Sequence, residues 1–170
     1  MKSLRIAGIQ KESIVDGEGY RYAIFTQGCN HQCKGCQNQE TWDFNGGKLY
    51  SQSELEEVVK DIESNPMLDG ITLSGGDPFY QADACAELIK SIKSKREDIT
   101  VWAYTGFTWE ELIKSPEMLN LAKLCDVIVD GRYIENKRKL ELEFRGSSNQ
   151  RLIDVKKTIA AGKVVQITFN

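Results

Sequence analysis

The chain has 170 residues, with 22 Lys/Arg against 25 Asp/Glu for a net charge of −3, and 41% of its residues are apolar. That length predicts a single domain over residues 1–170 and falls short of a closed eight-stranded (β/α) barrel, which needs about 200 residues or more. The acidic balance argues against a general nucleic-acid binder. No apolar run approaches the roughly 18 residues of a membrane span, and the opening MKSLRIAGIQKES has no apolar signal core. The expectation is therefore a cytoplasmic protein with neither nucleic acid nor membrane as direct partner.

In chain order, Tyr22-Ala23-Ile24-Phe25 reads as a strand that ends just before a cysteine-rich loop. Ser53 is expected to open a helix as N-cap, with Glu56 completing a capping box. Leu55, Val58, Val59 and Ile62 would form its apolar stripe. Ile71-Thr72-Leu73 is a short strand that stops at Gly75-Gly76. Residues 82–95 form a helix in which Cys85, Leu88, Ile89 and Ile92 share one face, so Cys85 is a core residue. Val101 to Tyr104 is a third strand, ending at Thr105-Gly106. Thr108 with Glu111 makes a second capping box, and Ser115-Pro116 starts a short helix with Pro in its first turn. Cys125 reads as buried filler ahead of a fourth strand, Val127-Ile128-Val129, which ends at Asp130-Gly131. Val164 to Phe169 is the last expected strand.

The second, third and fourth strands begin about 26 to 30 residues apart with helices between them, the rhythm of a parallel α/β sheet. The turns at their carboxyl ends would then line one mouth. Residues 132–163 carry nine Lys/Arg against four Asp/Glu, whereas residues 1–131 carry 13 against 21. This basic stretch reads either as a solvated face or as a docking surface for an anionic partner or a substrate phosphate.

Three of the five cysteines lie within eight residues, as Cys29-x3-Cys33-x2-Cys36. With no export signal, a disulfide framework is a poor reading. Thiolates at this spacing can converge on one metal centre. Structural zinc takes four ligands, and the one local candidate for a fourth, His31, sits awkwardly between two of the cysteines. A 4Fe-4S cluster held by only three cysteines leaves one iron open to a small ligand, which suits catalysis better than electron storage. Gly75 and Gly76 would let backbone approach that ligand closely, or would simply make a tight turn. There is no Walker A and no G-x-G-x-x-G. A non-catalytic electron carrier and a zinc module stay open as alternatives.

The C-x3-C-x2-C run followed by Gly75-Gly76-Asp77-Pro78 resembles the radical S-adenosylmethionine superfamily. Ser13-Ile14-Val15-Asp16-Gly17-Glu18-Gly19, leading into Gln27-Gly28-Cys29, is similar to the glycyl-radical-enzyme activases. Cys36-Gln37-Asn38, Trp42, Leu73-Ser74 and Tyr104-Thr105-Gly106 fit the same group. Asp130-Gly131-Arg132-Tyr133 and Arg145-Gly146-Ser147-Ser148-Asn149-Gln150-Arg151 resemble the branch that activates anaerobic ribonucleoside-triphosphate reductases. The resemblance covers about residues 13–155.

This resemblance implies an incomplete, open (β/α) barrel with a mostly parallel sheet. It implies a 4Fe-4S cluster on Cys29, Cys33 and Cys36, with the fourth iron chelated by S-adenosylmethionine. Reductive cleavage of that cofactor would give methionine and a 5′-deoxyadenosyl radical, which would take a hydrogen from a backbone glycine of the large reductase subunit. Flavodoxin or ferredoxin would supply the electron. Gly75, Gly76 and Asp77 would bind the methionine end, while Gly35, Cys36 and Gln37 would line the adenine side. The superfamily often places an aromatic residue just before the third cysteine, where this chain has Gly35. Arg145, Ser147, Asn149 and Arg151 would contact the cofactor or the reductase, or form a solvated turn. Trp42 and Trp109 are expected to pack, and His31 to donate a hydrogen bond within the loop. Two related readings keep the chemistry and change the substrate: an activase of another glycyl radical enzyme such as pyruvate formate-lyase, or a small enzyme acting on a metabolite.

Overall fold

The computed structural model of the chain describes residues 1–168. Its strands are β1 (Leu4–Ser13), β2 (Arg21–Thr26), β3 (Lys48–Tyr50), β4 (Gly70–Gly75), β5 (Thr100–Tyr104), β6 (Val127–Asp130) and β7 (Arg151–Asp154). Its helices are α1 (Gln52–Glu63), α2 (Ala82–Lys95), α3 (Trp109–Leu112), α4 (Pro116–Leu124) and α5 (Val155–Ala161). The strands form one mixed sheet in the order β3-β1-β2-β4-β5-β6-β7. The four central strands, β2, β4, β5 and β6, run parallel, whereas β1 and β7 flank them antiparallel. Parallel neighbours need crossovers, and here α1, α2 and the α3–α4 pair supply them.

Side chains alternate faces along a strand, and the alternation divides this sheet into two unlike surfaces. Tyr22, Ile24, Ile71, Leu73, Val101, Ala103, Ile128 and Ile153 point to one face and join a single core with the apolar sides of the helices. Leu55, Val58, Val59 and Ile62 come to it from α1, and Cys85, Leu88, Ile89 and Ile92 from α2. Burying each such large aliphatic side chain contributes about 1.5–3 kcal/mol. The opposite face carries a small cluster of Trp102, Val127, Val129 and Leu152, with Phe144 packed on it.

Arg21 lies on this second face, 1% exposed. Its guanidinium donates to Thr72 Oγ1 at 2.8 Å, Ile71 O at 2.7 Å, Glu18 O at 2.9 Å and Thr100 O at 2.9 Å. It also lies 5.5 Å from the Trp102 ring. Its donors all find neutral oxygens, and burial lowers the guanidinium to about 10, so it stays charged at neutral pH. Arg21 thus fastens the start of β2 to β4, β5 and the preceding Gly17–Gly19 loop.

Several expectations need correction. Helix α1 is capped by Ser51, whose side chain accepts from Glu54 N, not by Ser53. The chain turns helical directly after β3, so the cap lies two residues earlier than expected. Val164–Phe169 is not a strand over its described part: Gln166 makes only an isolated bridge to Ile153, and Phe169 lies outside the described residues. The last strand of the sheet is instead β7, at Arg151–Asp154, antiparallel to β6. Strands β1 and β3 add an edge that the βαβ rhythm did not announce. The Thr108–Glu111 capping box and the helix over 82–95 are as expected. No helix among the described residues is long and apolar enough to cross a membrane.

Candidate active site

The carboxyl ends of β2, β4, β5 and β6 lie side by side, and the segment that follows each one reaches the same place. A pocket of about 150 Å³ is walled by Cys29, Cys33 and Cys36 from the first, Ser74, Gly75 and Gly76 from the second, Tyr104 to Gly106 from the third, and Gly131 with Tyr133 from the fourth. The single mouth inferred from the turn positions is therefore present.

Gln27, buried at the end of β2, shapes the cysteine loop. Its side-chain amide donates to Glu40 O and Asp43 O at 3.0 and 2.8 Å. Gly28 N and Cys29 N donate to Thr41 O and Trp42 O, so the loop closes on itself around residues 28–42. Each cysteine sulfur also faces a backbone N–H. His31 N–H serves Cys29, Tyr133 N–H serves Cys33, and Asn38 N lies 3.4 Å from Cys36 Sγ. Hydrogen bonds to cluster sulfurs are one of the ways a protein sets reduction potential. Tyr133 comes from a segment about a hundred residues further along, and the sequence reading gave it no role.

The electrostatics of the three thiols bear on what could bind them. Burial pushes the Cys29 thiol up to about 11, and the neighbouring cysteines add to the rise. Cys33 is raised for the same first reason. As thiolates the three would repel one another in a half-buried pocket, so the arrangement fits a shared cationic centre. Among the described residues no three His, Cys, Asp or Glu groups converge tightly enough for one metal ion.

The Gly-Gly-Asp-Pro turn is tied to the same loop. Gly75 has φ +97°, and a Cβ there would lie 2.5 Å from Thr26 N. A Cβ on Gly76 would lie 2.5 Å from Gly28 O. Glycine is thus required by the chain's own backbone at the end of β2, and both residues still form pocket wall. Asp77 is 1% exposed. Its Oδ2 faces His31 Nε2 at 2.7 Å and accepts from Thr105 Oγ1 at 2.8 Å and Gly106 N at 2.9 Å, while Oδ1 accepts from Phe79 N at 3.0 Å. This carboxylate therefore clamps three strand-end loops together, with its oxygens turned away from the pocket. His31 is buried between Phe107, at 4.6 Å between ring centroids, and Tyr80, at 5.6 Å. It serves the loop's hydrogen bonding.

The remaining site residues are divided. Cys36 lies on the wall of both this pocket and an adjoining cavity, and Gln37 lines only the second. Gly35 lines neither: a Cβ there would meet Glu135 and, at 3.3 Å, the Tyr133 ring. Tyr104, on the wall of both cavities, is pushed well up by burial and stays a neutral phenol. Trp42 lines the pocket and Trp109 is core. The Arg145–Arg151 stretch chiefly braces its own loop. Ser147 Oγ accepts from Ile134 N, Gln150 Oε1 from Gly146 N and Ser147 N, and Asn149 Nδ2 donates to Arg132 O. Arg151 pairs with Asp130 at 2.6 Å and Glu110 at 2.7 Å.

A mixed α/β sheet whose parallel strands bring three thiols to one pocket at their carboxyl ends has the layout of a protein with a cysteine-held metal centre. The model for the 4Fe-4S single cluster domain family matches residues 15–153. The anaerobic ribonucleoside-triphosphate reductase-activating protein of Vibrio cholerae is 39% identical over 140 residues, covering 81% of this chain and 89% of that protein. The protein of the same name from Enterobacteria phage T4 is 38% identical over 81% of this chain and 86% of its own length. For Escherichia coli K12 the identity is 32%, over 81% and 90%. The chain belongs to the family of anaerobic ribonucleoside-triphosphate reductase-activating proteins, within the 4Fe-4S single cluster domain family. Crystalline QueE from Escherichia coli overlaps 62% of this chain and 54% of its own, at 17% identity and a TM-score of 0.46.

Proposed function

We propose that this chain activates an anaerobic ribonucleoside-triphosphate reductase by generating a glycyl radical on its large subunit, with Cys29, Cys33 and Cys36 as the ligands of a 4Fe-4S cluster. The observation that carries this reading is the pocket itself: the three cysteines share a wall with the Gly75-Gly76 turn. When bound, the cluster would supply one electron to S-adenosylmethionine, releasing methionine and the 5′-deoxyadenosyl radical that takes a hydrogen atom from the partner's glycine.

The chain's own residues would do the rest. The N–H groups of His31, Tyr133 and Asn38 hold the sulfurs in place. The backbone at Gly75-Gly76 would receive the methionine end, while Asp77 positions that turn against the cysteine loop rather than touching the cofactor. Cys36 and Gln37 would border the adenine, with Tyr133 supplying the aromatic surface beside Gly35. Burial of Tyr104 and the aromatic packing around His31 keep water from the wall, which a reactive carbon radical requires. The chain would work as one domain in the cytoplasm, its sheet curling as an open partial barrel around this site, with a flavodoxin or ferredoxin as reductant and neither nucleic acid nor membrane as partner.

The test is anaerobic reconstitution with iron and sulfide, followed by EPR of the reduced protein with and without S-adenosylmethionine. The expected result is a reduced-cluster signal that changes when the cofactor is added, and then a glycyl radical signal on the large reductase subunit. A cluster signal indifferent to S-adenosylmethionine would indicate an electron carrier instead.

A further inference from the structure

A second cavity, of about 440 Å³, opens beside the cysteine pocket and shares Cys36, Asn38, Ser74, Tyr104, Tyr133 and Gln150 with it. The wall of this cavity thus continues that of the cysteine pocket. Its outer side is a hairpin-like loop closed by an Arg138–Ser147 bridge and by Ser148 N donating to Lys137 O at 2.8 Å. Leu140, Leu142 and Phe144 of this loop border the cavity. Phe144 has φ +58°, an uncommon conformation for a bulky residue, and its ring meets Trp102 edge-on at 5.2 Å. That contact pins the loop to the second face of the sheet.

The charge on this wall is one-sided. Arg138, Lys139 and Arg145 line it, and no carboxylate pairs with any of them among the described residues. Arg145 donates from one Nη to Gln150 O at 2.8 Å, but its Nε is buried without a partner. The one carboxylate in the wall, Asp16, is held by Ser13 Oγ at 2.6 Å. At the rim stand two apolar side chains that the fold leaves uncovered, Val15 at 74% and Leu140 at 87% exposure.

We propose that the rim of this cavity docks an acidic surface of the partner protein, with Arg138 and Lys139 pairing its carboxylates and Leu140 and Val15 covering apolar side chains beside them. The inference rests on the proposed activase function and deepens it by assigning the docking surface and the partner's chemistry. The unpaired cations select negative charge and accelerate encounter. On this reading Arg138 and Lys139 give the basic stretch a docking role rather than that of a solvated face.

The experiment compares wild-type holoprotein with Arg138→Glu/Lys139→Glu, both reconstituted, for binding to the large subunit of an anaerobic ribonucleoside-triphosphate reductase over a range of NaCl concentrations. 5′-Deoxyadenosine release by the dithionite-reduced protein alone is measured separately. Wild-type affinity should fall with salt, and the double variant should bind about tenfold more weakly at low salt, with a flatter salt dependence and a matching loss of glycyl radical. Its partner-free 5′-deoxyadenosine release should equal wild type. Leu140→Ser, at a side chain too exposed to affect folding, should also weaken binding. Undiminished binding by the double variant, or wild-type binding indifferent to salt, would overturn the docking assignment. Failure of the wild type to release 5′-deoxyadenosine would instead overturn the activase reading, because that assay contains no partner.

Discussion

The two faces of the sheet are built on different rules. The helix-covered face is apolar throughout, closed by regular elements, and held by side chains that would tolerate replacement by others of similar volume. The second face carries Arg21, Thr72, Ser74 and Tyr104 and is closed by loops, the Ser13–Tyr20 segment on one side and residues 131–150 on the other. Stability resides mainly in the first and chemistry in the second. A substitution on the first face should change melting and spare the site, whereas one at the strand ends should do the reverse.

The largest expected effect tests that separation directly. Cys29→Ala, Cys33→Ala and Cys36→Ala should each abolish cluster binding and activity, read by iron content and EPR, while thermal melting of the iron-free protein barely moves. A collapse of the iron-free fold would show that the cysteine loop belongs to the core. In the iron-free wild type, Cys29 should alkylate with iodoacetamide about 100-fold more slowly at pH 8 than an ordinary thiol. Its pKa is raised to about 11, so the neutral thiol persists at neutral pH and the rate should climb as pH rises toward that value. A fast reaction at pH 8 would mean that the pocket is open to water.

Arg21→Met removes the buried cation and leaves several oxygens without donors. It should cost about 3 kcal/mol in denaturant unfolding, and a loss under about 1 kcal/mol would show that the second face is held mainly by its loops. Cys85→Ala should have the smallest effect, about 1 kcal/mol or somewhat more, with full iron content. Its Sγ lies 3.6 Å from Pro78 O, at the back of the Gly-Gly-Asp-Pro turn. Loss of cluster in this variant would make it part of the site rather than of the core.

The helix stripes of α1 and α2 and the strand ends at Gly75, Thr105 and Gly131 could be read from spacing because a helix or a buried strand imposes a period on its side chains. The Ser53 cap misled because two serines two residues apart both satisfy the capping pattern, and only the position at which β3 ends decides between them. Strand β7 escaped notice because Arg151–Asp154 is four residues long and begins and ends with charge, yet pairing with β6 buries its middle. The role of Tyr133 was invisible for a further reason: its backbone N–H carries no residue-type signature, and only folding brings it to Cys33.

By itself the sequence determined the βαβ order, the cysteine spacing, the glycine turn and the family they resemble, because each depends on residue types at short separations. The tertiary structure decided which oxygens Asp77 keeps for the protein, where Tyr104 and Tyr133 stand, and that Arg138, Lys139 and Arg145 border a cavity beside the cysteine pocket. Those depend on contacts between segments some 30 to 100 residues apart, and their geometry is fixed by sheet register and packing, which no local pattern encodes.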